Sequence, residues 1–251
     1  MRLLLVLLIL IVGACTLPEN GEPGACVHPR TRTDAVVRLW DLRLVMHPTL
    51  GKVIGGPRGS AWFISDTHIV TVEHVAQLLL LSSHEWRSIA VGQQRLGDER
   101  FSIHHMPMRV AQVYHDDLAE PIFVLEMQRK LPWKVRTLRA RTRPLEDREP
   151  TSGIGYTRGI LNVGVGHYYE RIPGWAKDDL HDERYASFVM TDGTKLRALD
   201  SGASGGPILD CMGEVVGALS ATSIPANGTP PNTTKALYAT RVHTIAQDLF
   251  R

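Results

Sequence analysis

The sequence contains little of what marks several common classes of protein. Only 3 of its 251 residues are cysteine, which is too few for a disulfide-stapled miniprotein. Its 28 basic and 26 acidic residues leave a formal net charge of +2, so bulk charge does not indicate a nucleic-acid-binding protein. Hydrophobic residues make up 43% of the chain, which excludes a disordered protein and is enough to bury a core. The 22 glycines and 15 prolines favour a turn-rich β protein of one large or two small units.

The N terminus carries an apolar run that is short for a membrane-spanning helix. Residues 3–12 are uninterrupted apolar residues between Arg2 and the small residues that precede Cys15. Such a run is about half of what a helix needs to cross a bilayer core of roughly 30 Å. The pattern predicts an export signal over residues 1–14. Its end resembles a bacterial lipobox, which implies a lipid on Cys15 that anchors the protein to a bacterial membrane, at the outer membrane or cell surface. Without the lipid, we expect a periplasmic or secreted protein.

Two cysteines remain, Cys26 and Cys211. In an oxidising compartment they either form a disulfide between the N-terminal arm and the second half of the chain or stay as buried free thiols, and the sequence leaves both possibilities open. The cysteine and histidine spacing predicts no zinc site, and we expect no metal or cofactor.

The body of the chain consists of short apolar runs separated by turn signals. Residues 16–33 are rich in Pro, Gly and polar residues and predict a tether. The later runs have the length and the β-branched residues of strands; among them are 35–40, 60–64, 68–72, 109–114 and 214–219. Without alternation of strands and helices, they favour a β-barrel or a β-sandwich. Helical patterns occur at 76–82 and at 241–251.

A basic segment, residues 134–143, lies near the middle of the globular part. Its position indicates a connection between two units. Contact with an anionic lipid or polymer is one interpretation of its charge, and a solvated connecting strand is the interpretation that we favour.

The strongest chemical signal is DSGASGGP at residues 200–207. Glycines around Ser204 permit a tight turn that projects the hydroxyl and turns backbone N–H groups inward. Attack on a carbonyl needs this combination, because the oxyanion that forms must meet hydrogen-bond donors. The amides of Gly202 and Ser204 are the candidate donors. Ser201 is the second candidate hydroxyl, but no Gly-Gly follows it.

A serine hydroxyl also needs a base that takes its proton. His74 is the leading candidate because it directly follows the predicted strand 68–72, and a strand end can hold a side chain rigidly. His105 and His115 are rivals in weaker contexts. The base in turn needs a carboxylate that fixes its tautomer, for which Asp116 and Asp117 are candidates.

Together these segments resemble the chymotrypsin-like (trypsin-like) serine peptidases of the bacterial kind. The motifs are GSAWFIS at 59–65, TVEHV at 71–75, DLA at 117–119, GASGGP at 202–207 and GEVVG at 213–217, in the order His, Asp, Ser. The resemblance favours Asp117 over Asp116, although Glu120 and Pro121 replace the apolar continuation that the family has.

The resemblance implies an all-β fold of two six-stranded antiparallel barrels, with the site between them and a helix at the C terminus. The implied boundaries are 34–130 for the first barrel, 131–150 for the connection, 151–240 for the second barrel and 241–251 for the helix. The arm then covers residues 15–33.

The implied function is a serine endopeptidase that acts on polypeptides. Ser204 would be the nucleophile, His74 the base, Asp117 the orienting carboxylate, and the amides of Gly202 and Ser204 the oxyanion donors. Two other functions stay open: a silent peptidase fold that only binds peptide, and an esterase that uses the same Ser-His pair.

For substrate binding, the resemblance implies an edge at Ser220, Ala221 and Thr222 that pairs with the substrate backbone. Ala198 would form the floor of the specificity pocket. Because Ala198 carries no carboxylate, we expect a small or apolar substrate side chain there rather than Arg or Lys.

Overall fold

The structure is a computed structural model that describes residues 26–41, 43–47, 51–82, 85–98, 101–115, 120–170, 185–191, 199–223, 236–242 and 246–249. The predicted signal segment and Cys15 lie outside these residues. No helix in the described part is long and apolar enough to cross a membrane.

Strands dominate the described residues. In chain order they are β1 (Val36–Trp40), β2 (Leu44–His47), β3 (Gly51–Ile54), β4 (Pro57–Phe63), β5 (His68–Val72), β6 (Arg87–Gln94), β7 (Phe101–Tyr114), β8 (Ile122–Met127), β9 (Pro150–Thr157), β10 (Ile160–Tyr169), β11 (Tyr185–Thr191), β12 (Pro207–Leu209), β13 (Val215–Ser223) and β14 (Ala236–Arg241).

The first six-stranded barrel closes in the order β1-β4-β5-β8-β7-β6, with antiparallel neighbours. Its strands are rich in valine, isoleucine and aromatic residues, which favour a half-buried pleated surface. Leu39, Trp62 and Val70 are fully buried in its core. Strands β2 and β3 form a separate two-stranded hairpin.

The second barrel closes in the order β10-β11-β14-β13-β12-β9, again with antiparallel neighbours. The two closed barrels confirm the predicted all-β fold class.

The segment between β8 and β9 packs against both barrels. The amide of Leu138 donates to the carbonyl of Phe63 in the first barrel at 2.8 Å, and that of Arg141 donates to Val215 in the second at 2.9 Å. The Arg141 side chain is only 2% exposed and forms ion pairs with Glu149 and Asp210. The interpretation as a solvated strand is therefore wrong at Arg141, because its charge is buried and paired with carboxylates of the same chain.

The predicted helix at 76–82 is a short helix, α1 (Glu73–Leu78), that begins immediately after β5. An acidic residue in the first turn suits the positive end of a helix, and Leu80 with φ of 52° follows its end. At the C terminus, residues 246–249 form a turn, while 243–245 and 250–251 of the predicted helix lie outside the described residues.

The described part of the N-terminal arm begins at Cys26, which is bonded to the second half of the chain. Cys26 and Cys211 form a disulfide, with Cα atoms 4.2 Å apart. A 3₁₀ helix, Pro29–Ala35, then leads into β1. Of the two arrangements that the sequence left open for these cysteines, the structure has the bridged one.

Candidate active site

Ser204 lies in the loop that leads into β12 and packs against the first barrel. We call residues 200–206 the serine loop. Gly202 and Gly205 have φ of 95° and 83°, in the left-handed region that favours glycine. A Cβ on Gly205 would stand 2.1 Å from the Ser60 carbonyl oxygen and 2.2 Å from Thr71 Oγ1. Gly205 therefore has a steric reason to be glycine, because a side chain there would clash with the first barrel.

His74 lies in the first turn of α1 and is bound twice by one carboxylate oxygen. Oε1 of Glu120 is 2.9 Å from the His74 backbone nitrogen and 2.6 Å from Nδ1. The Glu120 side chain is 11% exposed, whereas that of His74 is 42% exposed. The carboxylate is thus held inside, with the imidazole projecting toward solvent.

Ser220 links this pair to Ser204. Its hydroxyl donates to Oε2 of Glu120, and its carbonyl oxygen accepts from Ser204 Oγ at 3.3 Å. Ser220 therefore contacts Ser204 through its carbonyl and Glu120 through its hydroxyl, which places Ser204, Glu120 and His74 near one another at the junction of the two barrels.

Two opposing effects set the charge of Glu120. Burial raises the pKa of its carboxyl, but hydrogen bonds from the His74 side chain and backbone and from Ser220 outweigh burial, so the pKa lies below its usual value. The carboxylate is therefore ionised at neutral pH and able to hold an N–H at His74 Nδ1.

The family resemblance favours Asp117 as the orienting carboxylate, with Asp116 as the alternative. Both lie outside the described residues, and the residue on Nδ1 in the structure is Glu120. Strand register explains its position. Val72 pairs with Ile122, so continuing the antiparallel register two residues further brings His74 opposite Glu120. The signal in the sequence was the position of Glu120 directly before the apolar run at 121–125, but the DLA motif at 117–119 favoured Asp117 instead.

The serine loop holds most of its own backbone groups in hydrogen bonds. The amides of Ala203, Gly205 and Gly206 donate to Asp200, Leu219 and Ala203 at 2.9, 2.6 and 2.9 Å, respectively. Within the described part of the chain, no backbone oxygen accepts from the amides of Gly202 or Ser204. These are the two amides that the sequence analysis predicted as oxyanion donors.

The predicted substrate edge lies where β13 passes the serine loop. Pairing of β13 with β12 ends at Ala218, whereas Ala221 and Thr222 continue to pair with β14. Beyond Ala218 the described strands therefore flank β13 on one side only. Ala198, the predicted pocket floor, lies outside the described residues.

The rival residues are separate from this arrangement. His105 is exposed on β7, His115 is exposed after it, and Ser201 is exposed in the serine loop. Among the described residues no cluster of three or more His, Cys, Asp or Glu side chains is arranged to hold a metal ion.

Two closed antiparallel barrels with a serine loop at their junction define the chymotrypsin-like fold of trypsin-like serine peptidases. Solved structures of this fold align with most of the chain. A serine-to-alanine mutant of the Rv3671c protease from M. tuberculosis H37Rv, in an inactive form, is 17% identical over 92% of this chain and 95% of that chain, with a TM-score of 0.52. The HtrA-type protease AlgW, solved with a decapeptide, is 17% identical over 88% of this chain and 64% of that chain, with a TM-score of 0.53.

No protein-family model matches the chain, and no curated protein sequence does. The likeness is therefore one of fold.

Proposed function

We propose that the chain is a serine endopeptidase whose nucleophile is Ser204, whose general base is His74 and whose orienting carboxylate is Glu120 instead of Asp117. The observation that carries this proposal is the set of hydrogen bonds by which Ser220 contacts both Ser204 and Glu120 while Glu120 holds His74. A serine protease fold supports it independently.

In the proposed mechanism, rotation about the Cα–Cβ bond of Ser204 moves its hydroxyl from the Ser220 carbonyl to the imidazole. His74 accepts the proton while Oγ attacks the substrate carbonyl, and Glu120 stabilises the resulting imidazolium through Nδ1–H. The amides of Gly202 and Ser204 bind the oxyanion. His74 then gives the proton to the leaving amine, which leaves an acyl group on Ser204. Water hydrolyses this ester by the same steps.

The proposed substrate is a polypeptide in extended conformation. Its backbone would pair with Ser220, Ala221 and Thr222, where β13 lacks a described neighbour on one side. Ala198 is proposed as the pocket floor, which favours a small or apolar side chain before the cleaved bond. AlgW has been solved with a decapeptide, which supports a peptide ligand for this fold.

We also propose export, followed by lipid attachment at Cys15. The Cys26–Cys211 disulfide supports export, because such bonds persist mainly in oxidising compartments. Metabolic labelling with an alkyne fatty acid tests the anchor. We expect labelled protein in the membrane fraction and loss of both label and membrane association in Cys15→Ser. An unlabelled wild-type protein would contradict lipid attachment.

A fluorophosphonate probe tests the nucleophile. We expect one adduct per chain, located on Ser204 by peptide mass mapping and absent in Ser204→Ala. Ser201→Ala is the matched control, because it removes the neighbouring hydroxyl of the same loop and should label normally. Absence of any adduct would leave a silent peptide-binding fold.

A peptide library and a set of small esters then separate the remaining functions. Cleavage of peptides supports the endopeptidase. Hydrolysis of esters without peptide cleavage would contradict it in favour of an esterase.

A further inference from the structure

Ser60 belongs to the first barrel but makes its side-chain contacts in the second. It lies in β4 and is fully buried. Its Oγ donates to the carbonyl of Gly202 at 3.0 Å and accepts from the amide of Tyr156 at 3.0 Å. Its backbone amide donates to the carbonyl of Ser204 at 2.7 Å. A single buried residue thus holds the serine loop on both sides of Ala203.

The peptide between Ser201 and Gly202 is held by a different residue, Arg158. The amide of Arg158, in the turn between β9 and β10, donates to the carbonyl of Ser201 at 3.0 Å. In a trans peptide the C=O and N–H point in opposite directions, so this bond directs the Gly202 amide away from Arg158. Both peptides next to Gly202 are therefore fixed through their carbonyl oxygens.

These bonds matter because Gly202 is a residue whose peptides rotate easily. It has φ of 95° and no side chain to limit its rotation. A flipped Ser201–Gly202 peptide would direct a carbonyl oxygen toward the position where the oxyanion forms, where an N–H is required.

A second residue of the first barrel supports the same turn. Arg38 pairs with Ser60 across β1 and β4, so the two side chains emerge on the same face of the sheet. Its guanidinium donates to the carbonyl of Gly159 at 3.0 Å and lies 4.5 Å from the centre of the Trp40 ring. Arg38 thereby supports the turn whose Arg158 amide holds Ser201.

We propose that Ser60 is a positioning residue that keeps the Gly202 amide directed toward the oxyanion, with Arg38 supporting the same orientation through the 158–159 turn. The inference rests on the proposed function and extends it. The first barrel would then supply the base and also control the orientation of the oxyanion donor in the second barrel.

Ser60→Ala removes both side-chain hydrogen bonds and leaves the Gly202–Ala203 peptide held, among the described residues, only through the bond from the Ala203 amide to the Asp200 carbonyl. Because the oxyanion exists only after attack, the loss should fall on kcat and leave KM within about twofold. Removal of one oxyanion donor costs about 10²–10³ in kcat, so a misdirected donor should cost roughly 10–100-fold.

Two inhibitors separate positioning from general damage to the structure. A peptide aldehyde forms a hemiacetal with Ser204 and needs the oxyanion donors, whereas a cleavage-product peptide binds without them. In Ser60→Ala we expect aldehyde affinity to fall by about the same factor as kcat/KM, with product affinity unchanged. Ser152→Ala is the matched control, since it removes another buried hydroxyl, in β9, that makes no described contact with the serine loop.

Equal aldehyde affinity in Ser60→Ala and the unaltered protein would overturn the inference, as would a loss no larger than in Ser152→Ala. If Ser60→Ala does not fold, Arg38→Met decides: a loss of kcat at constant KM supports the inference, and unchanged kcat overturns it. Fluorophosphonate labelling distinguishes the two proposals. Labelling with unchanged Ser60→Ala kinetics overturns only this inference, whereas absence of labelling of Ser204 in the unaltered protein overturns both.

Discussion

Glu120 is one methylene longer than the aspartate that the sequence predicted, and its longer side chain lets one oxygen contact both the backbone and the ring of His74. An amide in its place would retain the size but not the negative charge, which in the proposed mechanism stabilises the imidazolium. We predict that Glu120→Gln lowers kcat by about 10³–10⁴ with little change in KM, measured by steady-state hydrolysis of a peptide substrate.

Asp117→Asn is the control for this prediction and should keep near wild-type activity. The opposite pattern, with a large loss in Asp117→Asn and none in Glu120→Gln, would return the role to Asp117.

A second residue-scale prediction concerns acid stability. The hydrogen bond from Arg43 lowers the pKa of Asp41 to about 2 against the effect of burial, with further help from Arg58. A lowered pKa stabilises the folded state fully above the usual value of 3.8, and this stabilisation is lost as pH falls toward 2. Asp41→Asn should therefore cost on the order of 1–2 kcal/mol at pH 7, allowing for the exposed Arg43.

Urea unfolding at several pH values measures this contribution. The difference between Asp41→Asn and the unaltered protein should shrink between about pH 4 and pH 2. A difference that is independent of pH would contradict the ionic origin of the effect.

Ser204 and His74 are candidates that the sequence alone suggests, because each stands in a short motif whose chemistry is local. The sequence analysis missed Glu120 because the contact with His74 follows from the register of β5 against β8. Arg141 was also missed, since its partners Glu149 and Asp210 belong to different segments. Contacts that depend on pairing between distant segments leave no local pattern to detect.

At the scale of elements, the serine loop packs against the first barrel at Gly205, where there is no room for a side chain. Gly205→Ala would force a left-handed conformation and a clash with the Ser60 backbone, which is held in β4. We predict a loss of at least about 2 kcal/mol in the free energy of unfolding, measured by denaturant titration. Gly56→Ala is the control, because nothing lies within 4 Å of its added Cβ, and it should change stability little. Equal effects of the two substitutions would refute the steric account.

Helix α1 shows that an apolar sequence pattern can predict a short helix without predicting where the helix begins and ends. The apolar pattern predicted a helix at 76–82, but the helix begins at Glu73 and covers only six residues. Its beginning is set by the end of β5 and by the bond from the Glu73 amide to the Pro121 carbonyl. Both are tertiary features, which apolar periodicity does not detect. His74, the candidate base, therefore lies in the first turn of α1 and not at the end of β5.

At the scale of the whole molecule, the strand pattern alone left barrel and sandwich open. The distinction depends on closure, in which β1 pairs with both β4 and β6 and no edge remains in that barrel. The family resemblance predicted the closed arrangement, because its motifs fix which strands flank the site.

The disulfide fastens the N-terminal arm to the second barrel across a sequence separation of 185 residues. Closing so long a loop restricts the unfolded chain strongly, so the Cys26→Ser and Cys211→Ser double variant should lose about 2–5 kcal/mol of unfolding free energy. Denaturant titration under non-reducing conditions measures it. Cys15→Ser is the control, because it removes the cysteine outside the disulfide and should leave the free energy of unfolding unchanged. A midpoint that does not change on reduction would contradict a stabilising bond.

The central claim is that Ser204 and His74 act as one proton-sharing unit. The most direct test compares kcat for Ser204→Ala, His74→Ala and the double variant on one peptide substrate. Removal of either member of such a unit should cost on the order of 10⁶, and the double variant should fall to the same floor, because the second removal has nothing left to disable. Additive losses in the double variant, or more than a few per cent of activity in either single variant, would contradict the account.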